Sequence, residues 1–292
     1  MGEVFVLAEG LGHPEGPDFQ SDGGLLFVET YLGRISVWDR DGGTRAFAEV
    51  GGGPNACMLG TDGLYVTQNG GTAGPWRSAN PVTPSIQKVA VGGRVEVVTT
   101  TAGGRSLRGP NDLTFGPDGR LYFTDPGPYD PANKHDGLIC VIEPGGITSV
   151  LAEVGPTFPN GIVAEPDGSL VWGESYTRDI RRRRPGGSVE LLVTLPEGHV
   201  PDGMKVAANG DIYIASLGSR GIDVMAADGT LHGFVHTGGE PQNLVFRGRD
   251  VYVTDFGEVS QDSDEGLGSP TGRILRVSVG VEGLPLFRGA VG

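Results

Sequence analysis

The sequence predicts an all-β fold: a six-bladed β-propeller with four antiparallel strands per blade, occupying residues 1–292 as one domain. Three observations predict it. Proline followed by an oxygen-bearing side chain recurs along the chain as Pro14-Glu15-Gly16, Pro54-Asn55, Pro110-Asn111-Asp112, Pro159-Asn160-Gly161, Pro201-Asp202-Gly203 and Pro241-Gln242-Asn243. That spacing, roughly 40 to 56 residues, is the range of repeat architectures. Apolar runs are joined by Asp-Gly or Asn-Gly, the strongest short-range hairpin signal. Helical periodicity is nearly absent, and 52 Gly with 21 Pro would punctuate any long helix.

Each repeat reads as the same succession of strands. After Asn111 come the run Leu113–Phe115, the turn Pro117-Asp118-Gly119 and the run Leu121–Asp125. After Asn160 come 162–164, Pro166-Asp167-Gly168 and 170–172; after Asp202 come 204–206, Ala208-Asn209-Gly210 and 212–215. Two outer strands complete most units, for example Arg34–Asp39 with 44–50, and 180–184 with 188–193. Four-stranded blades around a channel make a propeller, and a sandwich would not explain a motif at this period. The last unit offers strands at 244–247, 251–255 and 273–277. Its fourth strand is either the N-terminal run 4–8, which would tie the ring shut, or the tail 284–287.

Composition narrows the function. The formal charge is −14 with a pI near 4.7, which argues against nucleic acid as a partner and suits a cation or a neutral polar small molecule. Cys57 and Cys140 are the only cysteines and lie in apolar strands. Two buried thiols are therefore expected rather than a disulfide, and a thiolate zinc site is excluded. No basic segment followed by an apolar run marks a signal peptide, and no apolar stretch approaches the roughly 20 residues needed to span a membrane. The expected location is cytoplasmic. The basic run Arg181 to Arg184 is expected to be a solvated strand face, and nothing in the sequence bears on oligomeric state.

A propeller brings its repeated motifs to one end of the channel. Carboxylate and carboxamide oxygens there suit a hard divalent cation. Two acids near one axis, Glu15 and Asp202, repel each other unless a cation or proton lies between them. The second strands end on Glu29, Gln68, Asp125, Glu174, Ser216 and Asp255, so a second ring of oxygen groups is expected around the same opening. Long connections at 69–84, 126–136 and 256–271 should emerge on that face as lids or specificity walls. They offer Trp76, Tyr129 and His135 as substrate contacts. His13 and His199 precede Glu15 and Asp202 closely and are expected to be structural or exposed. No nucleophilic triad stands out.

These residues carry a resemblance. His13-Pro14-Glu15-Gly16-Pro17, Pro110-Asn111-Asp112-Leu113, Leu121-Tyr122-Phe123-Thr124-Asp125-Pro126, Pro159-Asn160-Gly161 and Pro201-Asp202-Gly203-Met204 resemble the senescence marker protein/gluconolactonase/luciferin-regenerating enzyme family over essentially the whole chain. The resemblance implies a six-bladed propeller with one divalent metal ion, Ca²⁺ first, with Mg²⁺, Mn²⁺ or Zn²⁺ as alternatives. It implies metal ligands at Glu15, Asn160 and Asp202, with Asn111 on the metal or the substrate, and hydrolysis of a lactone, commonly a sugar lactone. Some sugar lactonases of the family carry Arg two residues before the second-motif Asn; here that position is Gly109, with Arg108 one step away.

On this reading the cation polarises the lactone carbonyl while a carboxylate activates water. Asp202 is the first candidate base and Asp125 the second. Asn55, Arg108 and Gln242 join Asn111, Trp76, Tyr129 and His135 as candidate substrate contacts. The alternatives are organophosphate or fluorophosphate hydrolysis in the same site, or a non-enzymatic binding platform around a structural ion.

Overall fold

The computed structural model describes residues 3–90, 92–257 and 271–292. Six four-stranded antiparallel sheets account for almost all of its regular structure. The first five run outward in sequence order from an innermost strand at or just after a motif. Blade 1 is Pro14–Phe19, Leu25–Glu29, Arg34–Asp39 and Gly43–Glu49. Blade 2 is Pro54–Leu59, Leu64–Gln68, Ser85–Val89 and Val95–Thr99, and blade 3 is Leu113–Phe115, Leu121–Asp125, Gly137–Ile142 and Thr148–Gly155. Blade 4 is Pro159–Ala164, Leu170–Glu174, Asp179–Arg183 and Val189–Thr194. Blade 5 is Val200–Val206, Ile212–Leu217, Gly221–Met225 and Leu231–His236. Blade 6 is Pro241–Arg247, Asp250–Asp255, Gly272–Ser278 and, closing the ring, the N-terminal strand Val4–Leu11.

That last pairing settles the closure. Val4 pairs with Val277 and Val6 with Leu275, so the first strand of the chain is the outer strand of the last blade. The tail takes a different course. It crosses the far end of the channel: Leu284 N donates to Val206 O on blade 5, Arg288 pairs with Asp18 on blade 1, and Val291 N donates to the Tyr65 hydroxyl on blade 2.

The inner strands are buried on both faces, because each blade packs against two neighbours. Phe115, Phe123, Tyr65 and Trp172 are fully enclosed between blades, and outer strands such as Gly43–Glu49 turn polar side chains to solvent. Both cysteines are free and buried. The Arg181 to Arg184 run differs from the expected solvated face. Alternation along its strand sends Arg182 inward, 3% exposed, where it grips Glu165 through two bonds of 2.6 and 2.9 Å and reaches Ala227 O. Arg181 pairs with Glu174 and Asp179, and Arg184 with Glu190. No helix among the described residues is long and apolar enough to cross a membrane.

Neighbouring innermost strands meet at the motif glycines. A Cβ on Gly16 would lie 2.2 Å from Ala56 Cα, and one on Gly161 2.2 Å from Asp202 O. Gly161→Ala must therefore push two blades apart. It is expected to cost about 1–3 kcal/mol in urea unfolding, as overpacking does. Gly186→Ala, with nothing within 4 Å, is expected to stay within about 0.5 kcal/mol.

Candidate metal centre and active site

The motif residues reach the axis because the innermost strands are irregular where they begin. Register shifts fall between Glu15 and Asp18, Pro54 and Ala56, Pro159 and Ile162, Pro201 and Met204, and Pro241 and Asn243. A bulge re-aims side chains that would otherwise stand perpendicular to the sheet. The motif carbonyls are then held by hydroxyls of the preceding blade. Thr30 Oγ1 donates to Pro54 O, Thr67 Oγ1 to Asn111 O, Thr124 Oγ1 to Asn160 O and Ser175 Oγ to Pro201 O. These four hydroxyls stitch blades 1 through 5 together at the channel mouth.

A cavity of about 270 Å³ opens there. Glu15, Asn111, Asn160 and Asp202, contributed by blades 1, 3, 4 and 5, all line it, as do Asn55, Gln242 and Tyr129. His13 also lines it, contrary to expectation. Its backbone is held at φ 59° immediately before Pro14, a strained arrangement. Its Nε2 meets Gln242 Oε1 at 3.1 Å, and burial pushes the imidazole down to about 4, so it is neutral at pH 7. Asn69, Phe158 and Ser175 are further cavity residues that sequence reasoning missed.

The cavity gathers buried acids and amide oxygens at one place. Glu15 and Asp202 are 3% and 4% exposed. Burial raises both carboxyls well above the ordinary range, and charge repulsion adds to it, from Asp202 and Asp112 on Glu15 and from Asp112 on Asp202. Asn111 Oδ1 and Asn160 Oδ1 are buried without a hydrogen-bond partner among the described residues. Asn160 is oriented by its other end, since Nδ2 donates to Ser175 Oγ at 3.1 Å. Unpaired buried oxygens cost free energy. Two such amide oxygens beside two carboxylates fit a hard divalent cation. Among the described residues no three His, Cys, Asp or Glu side chains cluster, so the donor set is half amide. Deeper in the channel a lysine partly offsets the negative charge. Lys205 acts on Asp112 and contacts Asn243 Oδ1 at 3.4 Å.

The expected second ring of channel oxygens is not there. Second-strand side chains stand perpendicular to the sheet, one strand further from the axis, and satisfy backbone and neighbouring residues. Glu29 accepts from Gly12 N and Arg34, Gln68 from Gly53 N, and Asp255 from Gly257 N and Arg273. Glu174 accepts from Trp172 Nε1 and Arg181. Asp125 is fully buried and accepts from the backbone N–H groups of Arg108 and Gly109. It is not among the residues lining the cavity.

Arg108 is likewise no cavity residue. Its exposed guanidinium donates to Asp136 O. His135 packs over Gly127 at the rim without lining the cavity. Trp76 contributes indirectly. The 69–84 insert forms a small hairpin, Thr72–Ala73 with Trp76–Arg77, whose turn lines the cavity while Trp76 stacks on Tyr31 at 4.9 Å. The acidic stretch 261–265 of the third insert lies outside the described residues. His199 and Ser216 both bind Asp223 Oδ2, at 2.9 and 2.6 Å, rather than each other. That geometry gives the serine no imidazole base.

The sequence pattern described as the SMP-30/gluconolactonase/LRE-like region matches residues 13–256. The chain belongs to this family. A gluconolactonase of Zymomonas mobilis is 26% identical to it, over 86% of this chain and 78% of that protein. The diisopropyl-fluorophosphatase of Loligo vulgaris is 27% identical over 46% of this chain and 48% of its own length. In structure, a calcium-binding regucalcin from Agrobacterium tumefaciens superposes with a TM-score of 0.78 and 17% identity, covering 100% of this chain and 98% of that one. At that identity the likeness is one of fold.

The raised carboxyls set a pH signature for this family member. In metal-free protein, Glu15 and Asp202 favour the folded state fully below the ordinary carboxyl value of about 4, and that contribution is lost as pH rises through their raised values. A bound cation removes the penalty. Differential scanning fluorimetry of chelator-treated protein is expected to show Tm falling from mildly acidic to neutral pH. Adding divalent cation at about 100 times its Kd should raise Tm by roughly 5 °C or more at neutral pH, with the rise narrowing as pH falls.

Proposed function

We propose that this protein is a divalent-cation-dependent lactonase, opening the ring of a small lactone by hydrolysis. The observation that carries the reading is the convergence of two buried, mutually repelling carboxylates and two partnerless amide oxygens on the floor of one cavity. Family membership and the likeness to a gluconolactonase supply the reaction class. The calcium-binding regucalcin with the same fold makes Ca²⁺ the first ion to try.

Glu15, Asn160, Asp202 and Asn111 would hold the ion. When bound it supplies Lewis acidity toward a carbonyl oxygen in the cavity. The rest of the chemistry belongs to the chain. Asp202 accepts the proton of a water as the water oxygen adds to the lactone carbonyl carbon. It returns that proton to the ring oxygen when the ring C–O bond breaks, leaving a hydroxy acid. Ser175 and the Thr124–Asn160 contact fix Asn160, so positioning is present before substrate arrives. Tyr129 and the turn of the 69–84 hairpin limit water at the mouth.

Fluorophosphate hydrolysis is the second reading, favoured by the likeness of half the chain to a diisopropyl-fluorophosphatase. The same base and donor set would serve, with a phosphoryl oxygen in place of the carbonyl.

A pH-indicator assay on chelator-treated protein, with lactone and fluorophosphate panels and each divalent cation in turn, separates these readings. The lactonase reading expects acid release from a lactone only when cation is restored. Asp202→Asn is expected to lower kcat by about 100-fold or more, even at saturating cation. If calorimetry shows that this variant only weakens cation affinity and full turnover returns at high cation, Asp202 is a ligand and not the base.

A further inference from the structure

The cavity above the carboxylates has two aromatic walls, one built around His13 of blade 1 and one around Phe158 of blade 4, with Trp76 and Tyr129 supplied by the inserts of blades 2 and 3. Blades 1 and 4 are three apart in a ring of six. On blade 1, His13 lies edge-on to Tyr31 and to Phe256, both at 4.8 Å, and Tyr31 stacks on Trp76. On blade 4, Phe158 packs with Tyr129 at 5.1 Å and Tyr176 at 5.2 Å. His13 and Phe158 occupy equivalent places, each immediately before a motif proline, and each has a positive φ, 59° and 56°. A bulky residue before proline disfavours that conformation. Strain repeated at two opposed cavity residues points to a role in what the cavity holds.

The polar inventory is small by contrast. No Lys or Arg lines the cavity among the described residues, and the sequence of 258–270 contains neither. Asn69 Oδ1 already accepts from Gly71 N and Thr72 N, Ser175 is bonded to Pro201 O and Asn160, and Gln242 is bonded to His13. Gly109 lines the cavity, but a Cβ there would meet the Gly127 carbonyl carbon at 2.9 Å, so no longer donor can stand at that point. Asn55, Asn111, Thr72 and the Tyr31 and Tyr129 hydroxyls remain, set among Ala73, Pro75, Phe158, Val200, Leu217 and the aromatic rings. A polyhydroxylated ring would press several hydroxyls against aromatic and aliphatic surface, and each unpaired hydroxyl is penalised.

We propose that the substrate of this site is a lactone bearing a flat apolar or aromatic substituent, held between the Tyr31–Trp76 and Tyr129–Phe158 walls, and not a sugar lactone. The reaction assigned to it rests on the lactonase reading above; the binding preference rests on the walls alone.

The test uses cation-loaded full-length protein and three lactones of one ring size: δ-valerolactone, a phenyl-substituted δ-valerolactone and glucono-1,5-lactone. Each rate is normalised to its alkaline hydrolysis. The corresponding phenyl-substituted δ-lactam, which resists hydrolysis, is titrated by calorimetry in parallel. The expected result is a kcat/KM for the phenyl lactone at least about 10-fold above the unsubstituted ring, with glucono-1,5-lactone lowest. Trp76→Ala and Tyr129→Ala should each lower the phenyl-to-unsubstituted ratio at least about threefold, with melting curves confirming that both variants fold. A preference for glucono-1,5-lactone, or no gain from the phenyl group, overturns the proposal and leaves the lactonase reading standing. No hydrolysis of any lactone, with lactam binding that weakens in both variants, removes the lactonase reading and sustains the aromatic site. Absence of both hydrolysis and lactam binding overturns both.

Discussion

Contact between neighbouring innermost strands at the Pro-X-Gly motifs governs everything the channel mouth can do. Glycine at 16, 161 and 203 lets one blade's backbone lie against the next blade's motif. The bulge beside it turns the preceding Glu, Asn or Asp off the sheet normal and toward the axis. Hydroxyls from Thr30, Thr67, Thr124 and Ser175 then hold the motif carbonyls from the side. Residues as far apart in sequence as Glu15 and Asp202 are thereby fixed at one place by contacts between adjacent repeats. Rigid positioning of this kind is what a metal centre or an active site needs from its scaffold.

The same geometry divides the chain's buried acids into two populations. Those on second strands, such as Glu29, Asp125 and Asp255, are matched by backbone N–H groups or arginines and serve the loops entering each blade. Asp112, deeper in the channel, has Lys205 beside it. Glu15 accepts from Gly16 N at 2.7 Å, but among the described residues neither Glu15 nor Asp202 is paired with a basic side chain, and both carboxyls are raised by burial and by repulsion. Two buried acids without a basic partner, beside two amide oxygens without a hydrogen-bond partner among the described residues, cost stability at that point. A cation held there, as proposed, would offset the loss and tie the stability of the ring to the ion that the proposed chemistry uses.

Much of this was legible in the sequence. The motif period and the Asp-Gly turns give six blades. The N-terminal run at 4–8 was one of two ways to close the ring, and its pairing with 272–278 is the one found. The repeated motif picks out six positions, Glu15, Asn55, Asn111, Asn160, Asp202 and Gln242, and the family resemblance singles out Glu15, Asn111, Asn160 and Asp202 among them. Asp125 lies off the cavity lining. Strand order places it at the right end of the blade, but direction is set by the pleat, and its side chain turns to the backbone of Arg108 and Gly109 rather than to the axis. Arg108 and His135 lie off the lining as well, since proximity in sequence to a motif does not aim a loop side chain. His13 was underrated because a histidine before proline gives no hint that its φ is positive. A signal for the hydroxyl stitches did exist. Glu29-Thr30, Thr67-Gln68, Thr124-Asp125 and Glu174-Ser175 place a hydroxyl beside each second-strand acid or amide, a second periodic motif running in step with the first.

The most direct test of the central claim is an anomalous difference map from crystals soaked in Mn²⁺, a divalent ion of hard, oxygen-seeking character with a usable X-ray signal. The account predicts one strong peak within coordination distance of oxygens from Glu15, Asn111, Asn160 and Asp202. A map with no peak at that point, or with its strongest peak on an exposed acidic loop, would contradict it.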